Sequence, residues 1–262
     1  MAMHKTDVLL IGGSIMSKTL AMLVTQIDPS RHITLVEQAS KLATESTDAW
    51  NNAGTGHAGY CELNYTPQQS NGDIAIEKAL GINASFEESL QFWSGLIRKG
   101  ALSKPSSFIN PVPHMSWVQG KDNVSFLKKR QEALVTHPLF EEMEYADDPA
   151  TLAEWLPLMM ARRDMTKPMA ATRVAHGTDI NFGELTRSMG EYLSHEDSVD
   201  YWLSTRVTDL KKAGDRWHVT TSHALAGKRT IEARFVFVGA GGCALPLLQK
   251  ADVDEVRGYG GF

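Results

Sequence analysis

The stretch Asp7-Val8-Leu9-Leu10-Ile11-Gly12-Gly13-Ser14-Ile15-Met16-Ser17 decides the fold. Its first five residues are an apolar run with β-branched members, and Gly12-Gly13-Ser14 breaks the pattern. Leu20, Leu23, Val24 and Ile27 then recur at helical spacing. Asp28-Pro29-Ser30 ends the helix, Ile33-Thr34-Leu35-Val36 is a second buried strand, and Glu37 follows at its tip, 25 positions after Gly12. Strand, tight turn, helix and strand ending in an acid make a βαβ unit that binds dinucleotides. Backbone N–H groups of the turn and the positive end of the helix approach a pyrophosphate, while the carboxylate accepts hydrogen bonds from a ribose diol. Gly12, Gly13, Ser14, Ile15, Met16 and Glu37 are therefore candidate cofactor-binding residues. In the G-x-G-x-x-G template the second and third glycines fall on Ser14 and Ser17. A serine at the third position is small enough for close helix packing, whereas Ser14 adds a Cβ where the phosphate comes nearest.

Composition narrows the class. With 262 residues the chain can bury a sizeable core in one large domain or two intertwined ones. A net charge of -5 and a pI near 6.0 argue against a nucleic-acid partner. The sequence has no run long and apolar enough to span a membrane and no signal-peptide core, because the first apolar run is the first strand. Cys61 and Cys243 offer neither a disulfide framework nor metal-ligand spacing, so no metal is expected and a reducing cytoplasm fits best.

From Lys41 to Pro67 small and polar residues follow one another without periodicity, which predicts a long loop whose glycines and amides suit a backbone wrapped round a ligand. Asn52, Ala53, Gly54 and Thr55 join the candidate cofactor contacts. An amphipathic helix is expected from Ile76 to Ile97, ending near Gly100, and an extended segment from Pro105 to Val118 that carries His114. Asp122-Asn123 can cap a helix with Lys128-Lys129-Arg130 across its solvated face, and Asp148-Pro149 starts another. A helix with Leu185, Met189, Tyr192 and Leu193 on one face precedes a strand from Tyr201 to Val207. A second strand, Trp217 to Thr221, is joined through a Gly214-Asp215 turn, and an apolar strand from Thr230 to Val238 runs into Gly239-Ala240-Gly241-Gly242. That last boundary belongs at the carboxyl ends of the sheet, where ligands of open α/β sheets bind. Val207, Gly239, Ala240 and Gly241 complete the candidate cofactor set.

Several blocks are long and unusual. Asp7 to Ser17, Trp50-Asn-Asn-Ala-Gly-Thr-Gly-His57, Glu62-Leu-Asn-Tyr-Thr-Pro67, Ser107-Phe-Ile-Asn-Pro-Val-Pro-His-Met-Ser116, Gly177-Thr-Asp-Ile-Asn181 and Phe235-Val-Phe-Val-Gly-Ala-Gly-Gly242 together resemble the malate:quinone oxidoreductase family of flavoproteins. The resemblance covers essentially the whole chain from Asp7. It implies an α/β fold, a Rossmann-like FAD-binding domain with an inserted α+β substrate domain. The expected boundaries are 1–70 and 173–262 for the FAD-binding domain and 71–172 for the insertion. FAD is the implied cofactor, L-malate the substrate and a membrane quinone the electron acceptor, with a cytoplasmic enzyme placed peripherally at the inner face of the membrane. His57 is then the candidate base, with His114 and Arg173 as candidate partners for the two carboxylates. A related FAD-dependent 2-hydroxy-acid oxidase and a catalytically incompetent nucleotide-binding remnant are the alternatives. Two departures stand out: Ser14 occupies a position where the family normally has glycine, and the chain stops at Phe262 where family members continue. The expectation is a fold truncated at the C-terminus that does not turn over malate alone.

Overall fold

The computed structural model describes residues 3–260, so the outermost ends of the expected FAD-binding segments, at positions 1 and 262, lie outside the described residues. Along the chain the strands are β1 (His4–Ile11), β2 (Ile33–Val36), β3 (Ile109–Pro111), β4 (His114–Gln119), β5 (Glu144–Ala146), β6 (Met169–Val174), β7 (Thr178–Ile180), β8 (Val199–Trp202), β9 (Thr205–Ala213), β10 (Arg216–His223) and β11 (Gly227–Val238). The helices are α1 (Ile15–Ile27), α2 (Glu77–Arg98), α3 (Lys121–Leu134), α4 (Pro149–Trp155), α5 (Pro157–Met160), α6 (Phe182–Leu193) and α7 (Ala244–Lys250). They form two compact units. The first comprises Met1–Gly54, Lys99–Phe108 and Asn181–Phe262, and the second Thr55–Arg98 and Ile109–Ile180.

The first unit is a six-stranded sheet in the order β8-β2-β1-β11-β10-β9. The four strands β8, β2, β1 and β11 run parallel, and β10 and β9 continue as an antiparallel meander. Leu9, Leu10, Ile33 and Leu35 are almost fully buried, which is why β1 and β2 read as continuous apolar runs rather than alternating ones. Leu9, Ile11 and Val36 pack in one cluster with Val207, Leu210, Val219 and Ile231, so the antiparallel half folds back over one face of the parallel half. Each such aliphatic side chain contributes about 1.5–3 kcal/mol through burial.

One expectation in this unit is corrected. The segment Tyr201–Val207 is not one strand: it breaks at Leu203-Ser204, where Ser204 has φ +50. Ser204 N–H donates to the Ala39 carbonyl and Thr205 N–H to the Glu37 carbonyl, both at 2.9 Å, and these bonds carry the chain across the end of β2 into the meander. The buried face of α1 is not its aliphatic stripe. Ser17, Lys18, Ala21, Met22 and Thr25 are buried, while Leu23 is exposed and Ile27 is 81% exposed. Periodicity located the helix, and its buried face is set by small side chains that let α1 approach α6 closely while the larger aliphatics are turned outward.

The second unit holds a three-stranded antiparallel sheet, β4-β6-β5, and a two-stranded ribbon of β3 and β7. The unit boundaries differ from the expected 1–70, 71–172 and 173–262, and hydrogen bonds explain why. From Thr55 onward the loop is tied to this unit: Thr55 bridges to Asp179, Gly56 N–H donates to the Thr178 carbonyl at 2.8 Å, and Ser116 Oγ donates to the Cys61 carbonyl at 2.8 Å. Residues 99–108 return to the first unit, where Asn181 N–H donates to the Phe108 carbonyl at 2.7 Å and Ser103 N–H to Ser188 Oγ at 3.0 Å. Residues 173–180 stay in the second unit because β6 and β7 pair there.

Helix α3 starts at Gly120, φ +99, rather than at an Asp122-Asn123 cap. Its basic triplet is not all solvated either. Lys128 and Lys129 are exposed, but Arg130 is fully buried on the face it shares with Leu127 and Leu134. By contrast the Asp148 cap forms as expected, accepting from Thr151 N–H at 2.9 Å.

Candidate functional site

The turn after β1 is locked by main-chain bonds. Gly12 N–H donates to the Val36 carbonyl and Gly239 N–H to the Ile11 carbonyl, both at 2.8 Å, so the carboxyl ends of β1, β2 and β11 meet there. Gly12 has φ +103, and a Cβ on it would run into the Gly239 carbonyl. A Cβ on Gly13 would meet Leu42 at 2.8 Å and the Glu37 carboxylate at 3.1 Å. Glu37 is already engaged: Oε2 accepts from Gly13 N–H at 2.6 Å and Oε1 from Ala39 N–H at 2.7 Å. Each carboxylate oxygen has two lone pairs, so the group braces the turn and keeps acceptor capacity for a ribose diol.

Ser14 is the N-cap of α1 in ordinary extended backbone, φ −85 and ψ 177, and its hydroxyl caps nothing. No acidic residue stands in the first turn of this 13-residue helix, and the one carboxylate at its positive end is Glu37, bonded to Gly13 N–H. Ile15 N–H leans on Thr47 Oγ1 at 3.3 Å, and Met16 is 61% exposed. A turn packed too tightly for a Cβ, a helix terminus whose N-cap hydroxyl is unused and a carboxylate with spare lone pairs fit a dinucleotide. Thr205 N–H bonded to the Glu37 carbonyl sets the start of β9, and with it Val207, beside the same carboxylate's residue. Ala240 and Gly241 continue from Gly239 into the turn before α7.

The Asn-Asn loop does different work from that expected of it. Asn52 Nδ2 donates to the Ser46 and Asp48 carbonyls at 3.0 and 2.7 Å, and its Oδ1 accepts from Gly54 N–H at 2.9 Å. Asn52 therefore builds the loop, leaving Ala53 and Gly54 to present main chain. Thr55 belongs to the second unit.

Beneath the turn lies a residue the sequence reading missed. Lys18 is fully buried, its Nζ has no hydrogen-bond partner, and it sits 4.1 Å from the centroid of the Tyr201 ring. Burial lowers its pKa to about 7, against a smaller opposing pull from Glu37. Hydrophobic periodicity had no reason to single out a lysine between Ser17 and Thr19.

In the second unit, His57 is held at both ring nitrogens: Nδ1 lies 3.0 Å from Glu62 Oε1 and Nε2 lies 2.8 Å from the Tyr65 hydroxyl. A carboxylate only accepts, so Nδ1 donates to Glu62, and in the neutral imidazole Nε2 accepts from the Tyr65 hydroxyl. Glu62 and Tyr65 come from the Glu62-Leu-Asn-Tyr block, whose spacing gave no hint of that role. His114 lies beside the same loop, since Gly56 N–H and His114 Nε2, at 3.0 Å, share the Thr178 carbonyl. His114 is buried and packed where Gly177 has no room for a Cβ. Its Nε2 bonds to the Thr178 carbonyl, while its buried Nδ1 has no hydrogen-bond partner. Arg173 is brought to neither histidine. His114 is paired with Val174, and the next pair, Met115 with Arg173, points to the other face of the sheet, where Arg173 stacks 5.5 Å from Trp155. Arg130, fully buried, donates from Nε to Thr66 Oγ1 at 2.8 Å and from Nη2 to the Tyr60 carbonyl at 3.0 Å, which fixes the segment around Glu62.

A parallel nucleotide-binding sheet, a glycine turn braced by an acid at the end of the second strand, and a chain that leaves and returns define the flavoprotein oxidoreductase fold. Solved structures agree at the level of fold. The L-alpha-glycerophosphate oxidase of Mycoplasma pneumoniae, solved with FAD bound, is 15% identical with a TM-score of 0.65, over 96% of this chain and 58% of that one. Glycine oxidase of Geobacillus kaustophilus is 13% identical with a TM-score of 0.66, over 94% and 58%. The sequence model of the malate:quinone oxidoreductase family matches residues 4–262, and the chain belongs to that family. Relatives described as "Probable malate:quinone oxidoreductase" are 56% identical in Methylobacillus flagellatus, over 98% of this chain and 52% of the relative, and 53% identical in Hahella chejuensis, over 100% and 53%. The chain thus spans about half the length of the curated relatives it matches. Among the described residues no helix is long and apolar enough to cross a membrane.

Proposed function

We propose that this chain binds FAD at the Gly12–Glu37 unit and serves the oxidation of L-malate to oxaloacetate, with a membrane quinone as final acceptor and a peripheral place at the membrane surface. Family membership over residues 4–262 carries this reading, and the intact nucleotide turn supports it. Gly12, Gly13, Ser14 and Ile15 would hold the pyrophosphate, Glu37 the adenosine ribose, and the Val207 main chain the adenine. FAD, when bound, supplies the acceptor for the hydride that leaves C2 of malate.

The residues of this chain supply the proton chemistry. His57 takes the C2 hydroxyl proton at Nε2, exchanging its Tyr65 partner for the substrate, while Glu62 holds Nδ1–H and stabilises the imidazolium that forms. Lys78, whose Nζ lies 4.6 Å from the centroid of the Tyr65 ring, offers a cation for a substrate carboxylate close to that base.

The test is anaerobic mixing of FAD-loaded protein with malate, followed by a quinone analogue. Bleaching of the flavin by malate and recovery on adding the analogue support the proposal and overturn the expectation that the chain does not turn over malate alone. Recovery by oxygen alone with peroxide release would favour the oxidase, and bound flavin that malate never bleaches would favour the remnant. His57→Gln is expected to slow bleaching by about 10²–10⁴-fold without loss of flavin, and unchanged bleaching would remove His57 from the mechanism.

A further inference from the structure

His4 on β1, His32 just before β2 and Asp200 on β8 are far apart in sequence, yet the parallel sheet gathers them at one spot. Their Nε2, Nε2 and carboxylate oxygen atoms all lie within 4.8 Å of one another. His4 Nε2 is 3.6 Å and His32 Nε2 is 3.5 Å from the same oxygen, Asp200 Oδ2. Zinc bonds of about 2.0–2.1 Å to imidazole and carboxylate would set tetrahedral ligand atoms roughly 3.3–3.4 Å apart. Two of the three edges are therefore close to metal-ready, and a small closing movement of the histidines completes the third.

From this geometry we infer that His4, His32 and Asp200 form a binding site for one divalent transition-metal ion of the zinc class. The second layer fits: Thr6 Oγ1 lies 3.3 Å from His32 Nδ1, which orients the ring so that Nε2 points toward Asp200. His4 Nε2 now contacts Thr34 Oγ1 at 2.9 Å, and the metal would take over that nitrogen. The three side chains are 26%, 37% and 44% exposed, enough for water to complete the coordination. Two imidazoles and one carboxylate favour zinc, nickel or copper over magnesium and calcium, which prefer oxygen ligands. Bound metal would staple β1, the turn before β2 and β8 to one another.

Zinc titration of the untagged chain by calorimetry tests the site, with magnesium as the comparison ion. The expected result is one tightly bound zinc per chain, weakened at least tenfold in both His32→Asn and Asp200→Asn and retained in His176→Gln, which alters a separate His–Glu pair. Zinc should also raise the melting temperature of the wild type and of His176→Gln only. The inference is overturned if zinc does not bind stoichiometrically, if both site variants bind it as tightly as the wild type, or if magnesium binds equally well. If either variant fails to fold, cobalt added to the wild-type chain decides: the visible bands of a four-coordinate nitrogen and oxygen site support the inference, and their absence overturns it.

Discussion

Among the described residues each unit contains one fully buried lysine or arginine, and the two are treated oppositely. Arg130 in the second unit spreads its guanidinium over a hydroxyl and main-chain carbonyls, so its charge is solvated by protein dipoles although no carboxylate touches it. Burial pulls its pKa down only to about 10, and it stays charged at neutral pH. Lys18 in the first unit has an aromatic face and no acceptor, and burial brings it to about 7. Burial is tolerated in one case by supplying acceptors and in the other by giving up the charge. The difference follows from the scaffolds. The loop around Tyr60 and Glu62 has carbonyls that need donors, whereas α1 packs its small residues so closely that no acceptor reaches Nζ.

The largest expected effect comes from removing the satisfied cation. Arg130→Met leaves the Tyr60 carbonyl and Thr66 hydroxyl unpaired in a dry interior, and should destabilise the protein by about 3–5 kcal/mol in denaturant melts. A loss below about 1 kcal/mol would show that the guanidinium contributes little.

Lys18→Met should act in the opposite direction. A lysine whose pKa falls from 10.5 unfolded to about 7 folded costs the native state about 5 kcal/mol below pH 7, an upper bound that the Tyr201 contact reduces. Between about pH 7 and 10.5 the unfolded chain binds more protons than the folded one, so wild-type stability rises with pH across that window. The substitution should therefore stabilise by about 2–4 kcal/mol at pH 6–7, with the gain shrinking toward pH 10. A pH-independent gain would mean that Lys18 does not titrate as described.

Ser14→Gly is the smallest test. The backbone at Ser14 is ordinary and needs no glycine, so only the space taken by its Cβ separates it from the template. FAD should bind about two- to fivefold more tightly in the glycine variant, worth roughly 0.4–1 kcal/mol. Weaker binding would mean that the hydroxyl donates to a phosphate oxygen.

The same contrast explains what could be read in advance. The nucleotide-binding turn is built from main chain, and main-chain demands leave glycines, apolar runs and an acid at fixed spacing, so Gly12, Gly13, Glu37 and the return at Gly239 were all legible. The Gly214-Asp215 hairpin was legible for the same reason, with Ala213 pairing Arg216 across it. The His57 site is built from side chains brought together by folding. Glu62, Tyr65 and Arg130 gave no periodic signal, and Arg173 fell on the wrong face because register, not spacing, decides which side of a strand a residue occupies. The buried face of α1 could not be read from its aliphatic spacing because close helix packing selects small residues over apolar ones.

Equilibrium titration of FAD into the wild-type chain and into Glu37→Gln tests the central claim most directly. The amide keeps one acceptor but replaces the other carboxylate oxygen with a donor, so one of the two bonds from Gly13 and Ala39 N–H and the charged ribose acceptor are lost. Affinity should fall by about 5- to 150-fold, corresponding to roughly 1–3 kcal/mol. Equal affinity in the two proteins would contradict the placement of the flavin nucleotide at the Gly12–Glu37 unit.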